Sequence, residues 1–227
     1  MTTAKKIARL AGASAAPPYV LFGSLGSGSA AIEAALARCG VPFRRVSAAS
    51  WDAGSALDEL AAVNPLLQIP VLQLPDGSVL TESAAILIHL GLMYPGAGLL
   101  PASPRARDQA IRGLVFIAAN CYAAIGVIDY PERWCADATA PMKERIRRAA
   151  RQRLHAHWDM FADQFATPGG FFTGAAPGAL ELLAAVGSKW SGARAHLRTS
   201  RPAFLASLEQ IEAHPQVAAV FAHHWPA

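Results

Sequence analysis

Charge is scarce in this chain of 227 residues: Asp, Glu, Lys and Arg together make up 16% of it. A disordered polypeptide needs high charge and little apolar content. Here 53% of the residues are hydrophobic, which excludes that class. Cysteine is scarce too. Cys39, Cys121 and Cys135 are too few and too scattered for a disulfide framework. None falls in a CxxC pair, so thioredoxin-type redox chemistry has no basis in the sequence. Reduced thiols fit a cytoplasmic protein. Long hydrophobic runs are also missing, although the mean hydropathy is +0.26. The strongest run, Gly113 to Ile128, falls short of the ~20 residues that cross a bilayer. Residues 11–32 carry no charge, but their prolines, glycines and serines make a poor membrane helix. The expectation is a protein without a membrane segment, its apolar excess placed in a core. No metal site is expected either. His155 and His157 are two apart and point to different helix faces, and His223-His224 has no third ligand beside it.

What is present leans basic, with a net charge of +4 and a pI near 9.2. Six of the eleven residues from Lys143 to Arg153 are basic. A nucleic-acid surface is one reading of that stretch. A solvated helix face fits better, because no aromatics interleave and Glu144 interrupts it. No nucleic-acid partner is expected, though a basic face also attracts small anions.

Tyr19 to Gly23 is a short apolar run that reads as a buried strand. Ser29 to Arg38 reads as a helix stopped by Gly40, and Phe43 to Val46 as a second strand. Leu57 to Val63 is a short helix ended by Asn64-Pro65, since a residue before proline leaves the α region. Pro70 to Leu74 and Ser78 to Leu80 flank Pro75-Asp76-Gly77 and form a hairpin. Thr81-Glu82-Ser83 opens a helix through Leu92. The order is β-α-β-α-β-β-α. Three prolines and two glycines then mark a linker. Helices are expected over Arg105 to Ile128, Ala140 to Phe165, Ala179 to Trp190, and Arg201 to Phe221 broken at Pro215. Four parts follow: an N-terminal extension (1–17), an α/β unit (18–94), a linker (95–104) and an all-α domain (105–227).

Three segments carry a family resemblance: Asn64-Pro65-Leu66-Leu67-Gln68-Ile69-Pro70-Val71-Leu72, Pro75-Asp76-Gly77, and Leu80-Thr81-Glu82-Ser83-Ala84-Ala85-Ile86. In this order and spacing they resemble the glutathione-binding half of cytosolic glutathione S-transferases. The resemblance implies an α/β thioredoxin-like N-terminal domain followed by an all-α helical domain. It departs from the family pattern at Leu67, where glycine is usual. It departs again at Gly178, where Ser or Thr usually begins a capping box closed here by Glu181.

The resemblance also implies a site. The Ile69-Pro70 bond would be cis and offer the Ile69 backbone to the cysteinyl part of glutathione, like an added strand pair. Read alone, Pro70 fits better as an ordinary trans proline beginning an edge strand; the Thr81-Glu82-Ser83 segment beyond it favours the cis form. Glu82 and Ser83 would hold the γ-glutamyl end at a helix N-terminus, Glu82 taking the ammonium and Ser83 the carboxylate. Helix capping by Thr81 or Ser83 is the plainer reading of the same residues. Gln68 would add an amide contact. Gly23 stands where tyrosine-type members keep tyrosine, and Gly28 where cysteine-type bacterial members keep cysteine. Ser27 falls on the serine of serine-type members and is the expected thiolate donor, with Ser29 as substitute. Those serines also read as caps of a glycine-rich turn. Asn120, Tyr122 and Trp134 are expected to line a hydrophobic substrate pocket. Glutathione would be the co-substrate, the partner a hydrophobic electrophile, the assembly a homodimer, and the role detoxification. A non-catalytic glutathione or ligand-binding protein on the same fold is the alternative. A glutathione-dependent isomerase, dehalogenase or peroxidase is a further one.

Overall fold

The computed structural model describes residues 17–166, 172 and 174–226. Nearly all of the expected N-terminal extension lies outside the described residues. The chain begins with strand β1 (Tyr19–Gly23), helix α1 (Ser29–Cys39), strand β2 (Phe43–Ser47) and helix α2 (Leu57–Val63). Strands β3 (Val71–Gln73) and β4 (Val79–Leu80) and helix α3 (Ser83–Met93) follow. The sheet order is β2-β1-β3-β4. β1 pairs parallel with β2, with Leu21 opposite Arg45, and antiparallel with β3, with Leu21 opposite Leu72. The hairpin turn is locked by Asp76, whose Oδ1 accepts both the N–H of Ser78 at 2.9 Å and its hydroxyl at 2.6 Å. These bonds hold the Asp76 carboxyl below the usual carboxylate range.

Alternation along the strands gives the sheet two buried faces. Leu21 and Leu72 join the main core with α1 and α3. Phe22, Val46 and Val71 turn the other way and close over Leu60 of α2. The site therefore rests on a layer covered from both sides. Each fully buried Leu or Phe contributes about 1.5–3 kcal/mol.

The rest of the described chain is helical. α4 (Pro104–Phe116) continues through a π-helical turn (Ile117–Tyr122) into α5 (Ala123–Asp129). α6 (Ala140–Phe165), α7 (Ala179–Gly187), α8 (Ala193–Ser200), α9 (Pro202–Ala213) and α10 (Ala218–His224) complete it. Two boundaries differ from the sequence expectation. α8 is an added helix, started by Ser191 and Gly192 at φ 57° and 78°. The expected Ala179 to Trp190 helix stops at Gly187. The expected break at Pro215 is present and separates α9 from α10.

Pro104–Asp129 runs on as one helix, as expected, but its apolar stretch is longer than the run read from the sequence. The helix is 26 residues long, with a mean hydropathy of 1.8 over its most apolar window. By length and composition it suffices to cross a membrane. Yet Leu114, Ile117, Cys121 and Ile128 are packed into the core against α6 and α7, which reads as the central helix of a helical unit. Close packing here depends on Gly113, where an added Cβ would lie 2.7 Å from a Leu180 methyl. The basic stretch of α6 leaves Arg145, Arg148 and Arg153 exposed, as a solvated face requires.

α7 is wholly buried, from Ala179 through Gly187. Gly178 precedes it, and its N–H donates to Glu181 Oε2 at 3.1 Å. Only this half of a capping box exists, because glycine has no side-chain oxygen. α1 and α3 pack on α7, and α10 lies against α1.

Candidate functional site

A cavity of about 690 Å³ opens between the α/β layer and the helices. Ser27, Gly28, Gln68, Ile69, Pro70, Glu82 and Ser83 line it from the α/β side. Tyr122, Ile125, Leu183 and Trp190 line it from the helical side.

The α/β wall is built by turns the sequence specifies. Buried Asn64 ties the segment ahead of β3: its Nδ2 donates to Gln68 O at 2.8 Å and its Oδ1 accepts the Leu66 N–H at 3.2 Å. Leu67 stands at φ 54°, so the bend that glycine usually provides is kept by leucine in a left-handed conformation. The Ile69-Pro70 peptide is cis. Glu82 follows β4 at φ 66°, a costly conformation for a residue with a side chain. Such outliers cluster where a backbone is held for a task. No side-chain hydrogen bond caps α3 among the described residues, so neither Thr81 nor Ser83 is used as a cap. The first N–H groups of α3 are left for a ligand at the cavity wall, at the positive end of the helix dipole.

The mouth of α1 holds the serines. Ser27 is 6% exposed. Its Oγ donates to Ser24 O at 2.7 Å and lies 2.8 Å from Ser29 Oγ. Ser29 is more deeply buried, and its hydroxyl donates to the same carbonyl at 3.1 Å. Ser27 therefore lies at the cavity and Ser29 behind it. Gly23 has no room for a side chain. A Cβ on Gly23 would lie 2.4 Å from both Cβ and Oγ of Ser29. Gly28 differs: a Cβ there meets Tyr122 Oη at 3.5 Å, Pro70 Cδ at 3.7 Å and Ser83 Oγ at 3.8 Å. These are ordinary contact distances, so a small side chain fits here, where the walls carrying Tyr122, Pro70 and Ser83 meet.

The helical wall is organised by the π turn, a rare geometry concentrated at functional sites. Widening a helix frees carbonyls, and two are taken up here. Phe116 O accepts the Asn120 side-chain amide at 3.1 Å, and Asn120 O accepts the Nδ1–H of His157 at 3.1 Å. A carbonyl cannot donate, so that ring nitrogen carries the proton. Asn120 therefore braces the helix and is not among the cavity-lining residues, contrary to expectation. Tyr122, two residues on, does reach the cavity, with its ring edge-on to Trp190 at 5.9 Å. Its hydroxyl is buried without a hydrogen-bond partner among the described residues. Burial first, then the neighbouring Cys121, holds this phenol above its ordinary pKa.

Trp134 is 64% exposed and also stands outside the cavity, because the short 3-10 turn Pro131–Arg133 carries it away from the helix that lines the site. Arg133 lines the wall instead, its guanidinium 4.0 Å from the Tyr130 ring centre. Asp129, Tyr130, Trp51 and Trp190 are lining residues that pattern reading missed. Burial raises the Asp129 carboxyl pKa, partly offset by Arg147.

Comparison with known proteins places this architecture. Residues 29–92 match the family model described as Glutathione S-transferase, N-terminal domain. The GST-like protein YncG of Escherichia coli (strain K12) is 34% identical over 128 residues, 56% of this chain and 62% of that protein. The chain thus spans less than two thirds of that relative's length. A maleylacetoacetate isomerase of Rhizobium meliloti (strain 1021) is 31% identical over 158 residues, 69% of this chain and 73% of the relative. A sphingomonad glutathione S-transferase, solved in complex with glutathione, superposes with a TM-score of 0.73 at 25% identity. It covers 92% of this chain and 100% of that one. The mixed four-stranded sheet and the helical remainder agree with these matches, and the chain belongs to the glutathione S-transferase family.

Proposed function

We propose that this protein binds glutathione and activates its thiol for attack on a hydrophobic electrophile. One observation carries the reading: a single cavity joins a polar wall shaped for a tripeptide to an apolar wall of Tyr122, Ile125, Leu183 and Trp190. The γ-glutamyl carboxylate sits at the uncapped N-terminus of α3 with Ser83, and its ammonium at Glu82. The cysteinyl backbone pairs with Ile69 ahead of Pro70, and Gln68 adds an amide contact. The sulfur then faces the mouth of α1, where Ser27 stands and Ser29 backs it. A free cysteine thiol has a pKa of about 8.5, and a helix N-terminus lowers it. Glutathione acts as co-substrate: its thiolate forms the new carbon–sulfur bond, and the electrophile either takes up the proton or expels a leaving group. Proximity in the cavity supplies the rest of the rate. A cytoplasmic homodimer in detoxification completes this reading, and the apolar exposed Leu92, Met93 and Val115 support such an assembly.

Arg133 favours a second reading. A guanidinium at the cavity wall suits a substrate bearing a carboxylate, as glutathione-dependent isomerisation of an unsaturated acid would require. The maleylacetoacetate isomerase relative supports it. A glutathione-binding protein without turnover, or a dehalogenase or peroxidase, would use the same polar wall.

The experiment is the ultraviolet absorbance of bound glutathione against pH. A thiol pKa about 1–2 units below the free value supports activation. An unshifted thiol leaves only the binding role. Ser27→Ala tests the serine: unchanged activity with an unchanged thiol pKa removes it from catalysis. Aromatic halides against unsaturated dicarboxylic acids as substrates separate transferase from isomerase.

A further inference from the structure

Among the described residues the hydroxyl of Tyr122 is the one side-chain oxygen both fully buried and without a hydrogen-bond partner. Leaving a buried hydroxyl unpaired costs about 1–3 kcal/mol, and native structures rarely tolerate it. The hydroxyl is 3.5 Å from the position a Cβ on Gly28 would take, which also lies 3.7 Å from Pro70 Cδ and 3.8 Å from Ser83 Oγ. Tyr122 Oη thus stands across Gly28 from Pro70 and Ser83, next to the residues proposed to hold the ligand's backbone and carboxylate.

The serines are differently placed. The hydroxyls of Ser27 and Ser29 both reach Ser24 O and lie 2.8 Å from each other, so each has a partner. Ser27 turns to a ligand only by giving up its 2.7 Å bond to Ser24 O. Tyr122 gives up nothing. Its ring is fixed by the edge-on contact with Trp190 and by Gly187, where a Cβ would already touch Cε2 at 3.5 Å.

We propose that Tyr122 is a catalytic residue, its hydroxyl donating to the glutathione sulfur from the helical side of the cavity. This rests on the proposed glutathione reading of the same site. The proton stays on the phenol, whose acidity burial suppresses. The bond to the sulfur is charge-assisted once the thiol ionises, and such bonds are about twice as strong as neutral ones. The thiol proton itself leaves to solvent.

The test compares wild type with Tyr122→Phe in three measurements: bound-thiol pKa by ultraviolet absorbance, affinity for S-methylglutathione, and thermal unfolding without ligand. Tyr122→Phe is expected to raise the bound-thiol pKa by about one unit, to bind S-methylglutathione as wild type does, and to unfold at the same or a higher temperature. A variant pKa equal to that of a shifted wild type overturns the proposal and leaves the glutathione reading intact. A parallel loss of S-methylglutathione affinity also overturns it, because the hydroxyl then acts through packing. An unshifted thiol in wild type overturns the activation reading and this donor together. Should the phenylalanine variant fail to fold, 3-fluorotyrosine at position 122 carries the test. Its more acidic phenol must lower the thiol pKa further, and an unchanged value overturns the proposal.

Discussion

His224 Nδ1 accepts the backbone N–H of Gly26 at 3.2 Å across 198 residues of sequence. The N–H can only donate, so the ring proton sits on Nε2, 3.2 Å from buried Glu33 Oε2. Glu33 Oε1 in turn pairs with Arg45 at 3.3 Å. The last helix thus reaches under α1 and holds the turn that carries Ser27. His224→Ala removes a buried partner from both Gly26 and Glu33, while Arg45 still faces the carboxylate. The expected loss is about 1–3 kcal/mol, or a melting temperature lower by roughly 2–12 °C in a chain of this size. Glutathione affinity falls with it, since the turn loses its anchor. Thermal unfolding and calorimetric titration measure the two effects. Full stability with unchanged affinity would show that the C-terminal helix is incidental to the site.

Asn120 sets the angle of Tyr122 without touching the cavity. Its amide covers Phe116 O, one of the two carbonyls taken up at the π turn. Asn120→Ala uncovers that carbonyl at a cost of about 1–2 kcal/mol, and a regular α turn becomes the cheaper geometry. Relaxation by part of a turn moves the Tyr122 ring off Trp190. The expected result is a modest fall in melting temperature together with a rise in the bound-thiol pKa, although Asn120 contacts no ligand. Wild-type thiol titration in this variant would show that the turn does not need the amide.

Gly28→Cys puts a thiol where the walls converge. The added Cβ fits at ordinary distances, so the fold should tolerate it within about 1 kcal/mol. With oxidised glutathione, the new thiolate attacks one sulfur and releases the other half as glutathione thiolate, leaving a mixed disulfide. The native cysteines compete poorly. Burial pushes Cys39 up to about 11 and Cys121 up to about 12, and Cys135→Ser removes the third. Mass spectrometry of the Cys135→Ser, Gly28→Cys chain should show one glutathionyl group, blocked by prior S-methylglutathione. Labelling that S-methylglutathione does not block would place glutathione elsewhere.

The α/β half was legible because its signals are local. Pro75-Asp76-Gly77 dictates a turn, Gly40 stops a helix, and Asn64-Pro65 ends another. The segments around Ile69-Pro70 and Glu82-Ser83 resembled the family closely enough to locate the cavity wall. The helical half was legible only as helices. A π turn leaves hydrophobic periodicity almost unchanged, so Asn120 looked like a pocket residue when it serves the backbone. Trp134 and Arg133 are adjacent, and one 3-10 turn decides which of them faces the cavity. Trp51 and Trp190 reach the site from a loop and from the turn after α7, through tertiary packing that no local pattern encodes. Helix α8 was missed because its start depends on Ser191 adopting a left-handed conformation that serine seldom takes.

Leu67 offers a test in which the site's geometry and its stability separate. Its φ of 54° costs a branched L-residue about 1–2 kcal/mol. Leu67→Gly removes that strain. Against it stand the gain in unfolded-chain freedom, about 0.4–1 kcal/mol, and the contacts of a side chain already 39% exposed. The terms nearly cancel, so the glycine variant should match wild type or gain up to about 1 kcal/mol. Leu67→Val keeps an apolar residue of similar character, but β-branching makes positive φ harder still. It should lose at least about 1 kcal/mol. Denaturant unfolding of both variants gives the order glycine, leucine, valine if the backbone conformation governs this position. The reverse order, with glycine least stable, would mean that the leucine side chain holds the loop by packing. Because Asn64 fixes the segment independently, glutathione affinity should survive in the glycine variant and fall in the valine one.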